Sequence, residues 1–337
     1  MKKLLLFLTT ISILVLSCKK NDTILNSEEV CLRVNASVAG NNLTRSIING
    51  TAFPNGSSIG VELLKYEDNS AYSSKTNVKY SNDENGNWTS SESYTLSSSK
   101  AKVYGYYPYL NFNLPNDSLP FYEVPIWINS EAIHNSDYDF MYATPVESEI
   151  AAVSNANHII NLQMNHALAQ ISFLVYKENY NGLGKLTSFS IEDAIAGTGK
   201  ILIENSHPDL KMDIRDGSIT GGMEGTIKRD ITTPIILEEI NLDPPFPSSD
   251  VDVLKSQVLT KGCSVLIVPP GQIDVAAIKF SFTIDGNIYS VKNSSSITWE
   301  KGKQYIYKIK LSGTSLSISS VTIAEWQTVI GDDMIIQ

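Results

Sequence analysis

The residue best placed for covalent chemistry is Cys18. Lys2 and Lys3 give a positive start, Leu4 to Leu16 form an apolar run too short to span a bilayer, and Ser17-Cys18 follows at once. This presents a thiol where a secretory leader ends, and Val15-Leu16-Ser17-Cys18 has the letters of a bacterial lipobox. Residues 1–17 are expected to be removed as a lipoprotein signal peptide, leaving Cys18 lipidated as the first mature residue. A thioether-linked diacylglycerol plus an amide-linked chain exceeds the single acyl chain that binds a membrane only marginally, so the anchor would be stable. The competing reading is a plain secretory signal with a coincidental cysteine.

Elsewhere, residue types that could do chemistry stand in the wrong context. Gly56-Ser57-Ser58-Ile59-Gly60 spells a nucleophile elbow, but a turn precedes it and a strand-like run follows, where the elbow needs a strand and then a helix. Ala196-Gly197-Thr198-Gly199-Lys200 lacks both the first glycine and the Mg²⁺-binding hydroxyl of a phosphate loop. His134, His158, His166 and His207 have no metal-ligand spacing among themselves or with cysteine. Asp83-Glu84-Asn85-Gly86-Asn87 carries part of a Ca²⁺ loop's oxygen donors without the closing glutamate, and reads as a hairpin turn. Cys31 and Cys263 sit in apolar strand-like runs and read as small packed hydrophobes, too few and too far apart for a disulfide framework, with a single Cys31–Cys263 bridge as the alternative. Tyr104, Tyr106, Tyr107 and Tyr109 could stack sugars, although alternating tyrosines in a strand usually pack across strands. No catalytic set, cofactor site or metal site emerges, so the chain is read as a non-enzyme.

What the sequence specifies is strands. Tyr305, Tyr307, Ile309 and Leu311 alternate with Lys308 and Lys310 after the polar turn Glu300-Lys301-Gly302-Lys303, a period-2 pattern with one buried face. Asp285-Gly286 between two apolar alternations is a hairpin signal, and Asp83–Asn87 joins another pair of strands. Helical periodicity over a dozen residues is absent, so an all-β chain of sandwiches is expected. At 337 residues two domains fit. They are expected at 29–162 and 163–337, after a polar tether at 18–28, with the division where Asn165-His166 interrupts two apolar runs. The formal net charge of −10 argues against nucleic acid or anionic membrane surfaces as partners.

Taken together these segments resemble the fimbrillin family of Bacteroidales, the type V pilins and their Mfa-like relatives. The resemblance rests on the lipobox at Cys18, Leu43-Thr44-Arg45 after the first strand, and Phe53-Pro54-Asn55-Gly56-Ser57-Ser58-Ile59-Gly60-Val61. It continues through Tyr104-Gly105-Tyr106-Tyr107-Pro108-Tyr109, Asp139-Phe140-Met141-Tyr142-Ala143, Asn165-His166-Ala167-Leu168-Ala169-Gln170-Ile171, Val265-Leu266-Ile267-Val268-Pro269-Pro270 and the Trp299–Trp326 unit. It implies two tandem transthyretin-like β-sandwich domains and a structural or adhesive role in cell-surface fimbriae, reached by lipoprotein export to the outer membrane.

The resemblance also implies how subunits join. Polymerising fimbrillins are cut after an arginine behind the first strand, and Arg45 holds that position in Gly40-Asn41-Asn42-Leu43-Thr44-Arg45-Ser46, a stretch polar enough to lie exposed. The competing reading is a solvated loop arginine. A cut would release the strand Val30–Val38 and leave an unpaired edge for another chain. The candidate donor is the segment 327–337, whose Val329, Ile330, Met334, Ile335 and Ile336 could fill an apolar groove. Expected partners are thus other fimbrial subunits by donor-strand exchange and the outer membrane through the Cys18 lipid. The alternative is a surface lipoprotein that does not polymerise and binds a host or bacterial glycan or protein through the Tyr-rich strand and the 110–135 loops.

Overall fold

The strand expected after Trp299 is the centre of the C-terminal half. A computed structural model describes residues 30–39, 53, 55–83, 85–111, 121–128, 139–145, 148, 150–203 and 209–325. Cys18, Arg45 and the segment 327–337 lie outside them. Lys303–Ser312 pairs in parallel with Ala169–Glu178 and antiparallel with Ser315–Glu325, and Cys263–Ile267 completes this four-stranded sheet beside Ala169–Glu178. The facing sheet runs Ile227–Ile236, Lys185–Asp193, Ile278–Ile284, Asn287–Lys292. Phe173 stands between the layers, with its ring centroid 5.1–5.3 Å from those of Phe189, Phe280 and Phe282 at steep interplanar angles. Edge-to-face packing of this kind adds about 0.5–1.5 kcal/mol per pair beyond area burial. The Trp299 indole donates to the Tyr307 hydroxyl at 2.9 Å, so both buried aromatics have a polar partner.

Asp285-Gly286 forms the expected hairpin, both residues at positive φ (48° and 79°), the backbone demanded by a two-residue turn that follows the strand twist. The helix Val251–Lys261 was not expected. Only Leu254 and Val258 on it are buried, so its apolar stripe is two residues wide and leaves no periodic signature. The signals that do specify it are local. The Asp250 carboxylate caps it by accepting from the N–H groups of Asp252 and Val253, and Gly262 ends it. It covers Leu174, Tyr176 and Ile306 on the outer face of the first sheet, which explains why Ile306 is buried beside the half-exposed Lys308.

The N-terminal half is one seven-stranded sheet, ordered Arg33–Val38, Ile159–His166, Met141–Ala143, Ala101–Tyr107, Ser58–Lys65, Val78–Asn82, Trp88–Thr89. It curls until the strands at its two ends lie against each other, enclosing Ile59, Val61, Leu63, Tyr80, Val103, Leu162 and Met164. A division between 162 and 163 falls inside Ile159–His166. Gln163 and Met164 pair with Ser37 and Val38, His166 pairs with Met141, and the next strand begins at Ala169. His166 is polar by type but buried, its Nδ1 2.8 Å from the Asp139 carboxylate, so it ends a strand rather than opening a loop.

The outer face of this curled sheet carries Leu64, Tyr104, Tyr106 and Tyr142, and these join the core of the C-terminal half. Phe121, Val124, Ile126 and Ile128 cover them, and Glu123–Pro125 pairs with Lys211–Asp213 from the other half. Glu62 lies 1% exposed on this face, accepting from the Asn77 N–H at 3.0 Å. Burial pushes its carboxyl from 4.5 up to about 7, against the N–H groups of Asn77 and Phe121, which favour the charge. An acid whose folded pKa is raised costs nothing below the unfolded value. Stability therefore falls as pH rises from about 4.5 to about 7 and stays lower above. The whole effect is at most about 3 kcal/mol. Glu62→Gln should raise the urea midpoint at pH 8 and leave it nearly unchanged at pH 5; an equal effect at both pH values would refute the buried-acid account.

Candidate functional site: the first strand and its groove

The first strand is held in two registers. Val30 and Cys31 pair antiparallel with Leu96 and Thr95, and the Leu32 N–H donates to the Tyr94 carbonyl at 2.8 Å. From Arg33 the chain switches neighbours and runs parallel to Ile159–Met164, bounded by Arg33 N–H to His158 carbonyl (2.8 Å) and Ala39 N–H to Met164 carbonyl (2.7 Å). Leu32 marks the switch, and its carbonyl accepts from the Ser93 hydroxyl at 2.9 Å and from the Tyr80 hydroxyl at 3.4 Å. Burial pushes the Tyr80 hydroxyl up to about 12, so it remains a donor at neutral pH.

Side chains alternate as a half-buried strand requires. Leu32, Val34 and Val38 are each 2% exposed and face the N-terminal core; Ala36 is half-buried on the same side. Arg33, Asn35 and Ser37 point outward, and the Asn35 amide donates to Asn161 at 2.8 Å. Burial of Leu32, Val34 and Val38 contributes about 1.5–3 kcal/mol each, an upper estimate. Beyond Ala39 the described chain resumes at Phe53. That ring packs 5.3 Å from Trp88 and 5.0 Å from Tyr107, and its carbonyl accepts from the Asn82 amide. The stretch carrying Arg45 is thus bracketed by two anchored points.

The lookalike motifs resolve into packing. Ser58 Oγ lies 3.0 Å from Ser81 Oγ, and a Cβ on Gly60 would fall 2.0 Å from the Tyr106 ring, so this glycine admits an aromatic rather than building an elbow. The N–H groups of Gly197 and Gly199 are taken by the Glu224 carboxylate, an anion supplied by the chain itself. Asp83 closes its hairpin by accepting from Asn85 and Asn87. Cys31 and Cys263 form no disulfide with each other, and burial raises the pKa of Cys263. Tyr104 and Tyr106 are buried, while Tyr107 and Tyr109 are half-buried against Phe53 and Lys79, so these four tyrosines present no stacking platform to solvent. Among the described residues no group of three or more His, Cys, Asp or Glu could hold a metal ion.

Sequence reasoning found the strand but missed its partner. Ile160, Leu162 and Met164 alternate as a strand should, yet nothing local tells a parallel neighbour from an antiparallel one. Leu32→Ala should cost about 2–5 kcal/mol. Chemical denaturation of the lipid-free protein checks this, and a loss under 0.5 kcal/mol would mean the strand is not clasped as described.

None of the curated proteins matches the chain. Its fold is similar to that of a candidate cell adhesion protein from Bacteroides uniformis at 16% identity and TM-score 0.56, over 88% of this chain and 99% of that one. It is also similar to a candidate cell adhesion protein from Bacteroides ovatus at 14% identity and TM-score 0.58, over 90% and 98%. A fimbrial protein from Bacteroides vulgatus aligns at 10% identity and TM-score 0.53, over 88% and 99%. The sequence pattern described as fimbrillin-like matches residues 44–326, most of the chain. With that match added to the all-β architecture, the chain belongs to the fimbrillin-like family.

Proposed function

We propose that the protein is a structural or adhesive subunit of cell-surface fimbriae, built as two tandem transthyretin-like sandwiches and joined to its neighbours by strand exchange. It travels outward as a lipoprotein anchored through Cys18, and cleavage after Arg45 frees the strand Val30–Val38. The observation that carries this reading is the first strand itself. Among the described residues it is an edge strand of its sheet, seated by three apolar side chains and backbone bonds, and the chain passes from it to Phe53 through the stretch that contains Arg45. Loss of such a strand leaves a row of unpaired N–H and C=O groups beside an apolar groove, a state that favours capture of another chain's strand. The segment 327–337 is the donor in this reading, and nothing in it requires a catalytic residue.

Limited digestion of the lipoprotein with an arginine-specific protease should cut first after Arg45 and yield a ladder of SDS-resistant oligomers. Deleting 327–337 should abolish the ladder while both halves stay folded. If the truncated protein polymerises normally, donation by this segment is wrong; a processed monomer that shifts on a glycan array would favour the non-polymerising binder. Cys18→Ala should leave precursor that incorporates no labelled palmitate, and labelling of the mutant would remove the anchor from the scheme.

A further inference from the structure

We infer that the strand Ser315–Glu325 is a docking edge for the same strand of a second copy, run antiparallel about a two-fold axis between Ser319 and Ser320. The C-terminal sandwich has four edge strands, and three of them carry features that blunt an edge. Ile227–Ile236 holds Pro234 and presents Lys228 and Asp230, and Asn287–Lys292 is six residues long and ends in a lysine. Cys263–Ile267 has five residues and is soon followed by Pro269-Pro270. Ser315–Glu325 has eleven residues, with no proline or lysine and a single charge at its last position. Among the described residues only Lys303–Ser312 pairs with it, so its other side presents unpaired N–H and C=O groups. Its inward side chains are Leu316, Ile318, Val321 and Ile323, opposite Leu311, Ile309, Tyr307 and Tyr305. The first three are half-buried and Ile323 is 56% exposed, so their flank lacks a cover. Beside them opens a cleft of about 190 Å³ whose lining includes Ile318, Val321 and Ile297.

An irregularity in the strand selects the occupant. Ile318 lies opposite Ile309 and Ser320 opposite Lys308, so Ser319 is an extra residue, a β-bulge. The Ser319 hydroxyl lies 2.7 Å from that of Tyr176, on the face covered by the helix, so Ser319 and Ser320 both point outward. The inward residues are thus even-numbered before the bulge and odd-numbered after it. A regular strand laid along this edge keeps one parity and falls out of step halfway, which turns its outward side chains toward the core. A reversed second copy changes parity at the same place. With Ser319 beside the second copy's Ser320, Leu316 falls beside its Ile323 and Ile318 beside its Val321. Outward, Ser315 meets Ala324 and Ser317 meets Thr322. Over the full strand no other antiparallel alignment keeps every inward residue beside an inward one. Glu325, paired with Lys303 of its own chain, falls past the ladder beside Thr314, so no like charges meet. An axis perpendicular to the sheet also keeps both cores on one side of the joined sheet. Symmetric parallel pairing would turn one copy over and set its helix-covered face beside the other's core.

The register supplies the test. Uncut full-length protein with Cys18→Ala and Cys31→Ser retains only the buried Cys263. Into it Ser317→Cys and Thr322→Cys are introduced separately. Directly opposed residues have Cα atoms about 4.5–5.5 Å apart, within reach of a disulfide, whereas position 317 lies roughly 15 Å from its own copy across the axis. Mixed under mild oxidation, the two variants should form covalent heterodimers, and each alone should stay monomeric on a non-reducing gel. Failure of the mixture to cross-link, or self-linking of either variant to the same extent, would overturn the alignment. In sedimentation velocity the unsubstituted uncut protein should move from monomer toward dimer as its concentration rises. Ile323→Lys sets a charge beside the second copy's Leu316 and should weaken the dimer more than tenfold. Ile150→Lys, at a side chain 92% exposed in the other half, should leave the dimer unchanged. A monomer at every concentration up to on the order of 1 mM, or equal weakening by the two lysines, would refute the docking edge. Because the protein is uncut, each of these results leaves the strand-exchange reading standing.

Discussion

The parallel ladder between Arg33–Val38 and Ile159–Met164 is the constraint on which the N-terminal half depends. It sets the first strand of that half beside the last, with Asn35 and Asn161 126 positions apart in the sequence. Parallel neighbours cannot be joined by a tight turn, so the chain between them must make a long excursion. Here the excursion is the rest of the sheet, and its return closes the curl around Ile59, Val61 and Leu63. Closing so long a loop costs entropy that grows only with the logarithm of its length. The burial of Leu32, Val34 and Val38 is of the size needed to offset it. The strand is consequently strong in place and, among the described residues, stands at one end of the sheet order.

The outer face of the same sheet has no solvated option. Leu64, Tyr104 and Tyr106 there are apolar or nearly so, and the chain covers them with Phe121–Ile128 before pairing Glu123–Pro125 with Lys211–Asp213. The two halves therefore share one core across a β-pairing. At its rim Arg215 stacks 4.2 Å from the Tyr122 ring, while Lys301 lies 4.8 Å from the Tyr142 ring. Such contacts are worth about 0.5–1 kcal/mol each where exposed, so they trim a junction that apolar burial holds. This arrangement separates the duties of the sheet's two faces, the inner one burying Leu32, Val34 and Val38 of the first strand and the outer one packing against the second half.

What was legible in the sequence follows from the range of the physics involved. The alternation in Lys303–Ser312, the Asp285-Gly286 turn and the Asp83–Asn87 turn are local signals, and each stands where its residues put it. The helix Val251–Lys261 was hidden because two buried residues make no period, although Asp250 and Gly262 mark its ends. The register of the first strand was hidden for a different reason. Which strand lies beside Val34 is decided by Ile160, far along the chain, and by a curl that no local pattern encodes. His166 shows the same range of influence: it is polar by type, and a contact with Asp139, far along the chain, buries it at the end of the strand Ile159–His166.

One consequence follows from the way the first strand is attached. Before any cut it is linked to Phe53 through residues 40–52, so its concentration at its own groove is set by that linkage and not by the solution. After a cut between Ala39 and Phe53 the same strand, with every hydrogen bond and every apolar contact still made, is a ligand. Its occupancy then obeys mass action and falls as the two pieces move apart. Nothing in the fold need be strained or loosened for the groove to empty. Separation of the two pieces is enough, and the waiting time is the dissociation time of a peptide seated by Leu32, Val34 and Val38.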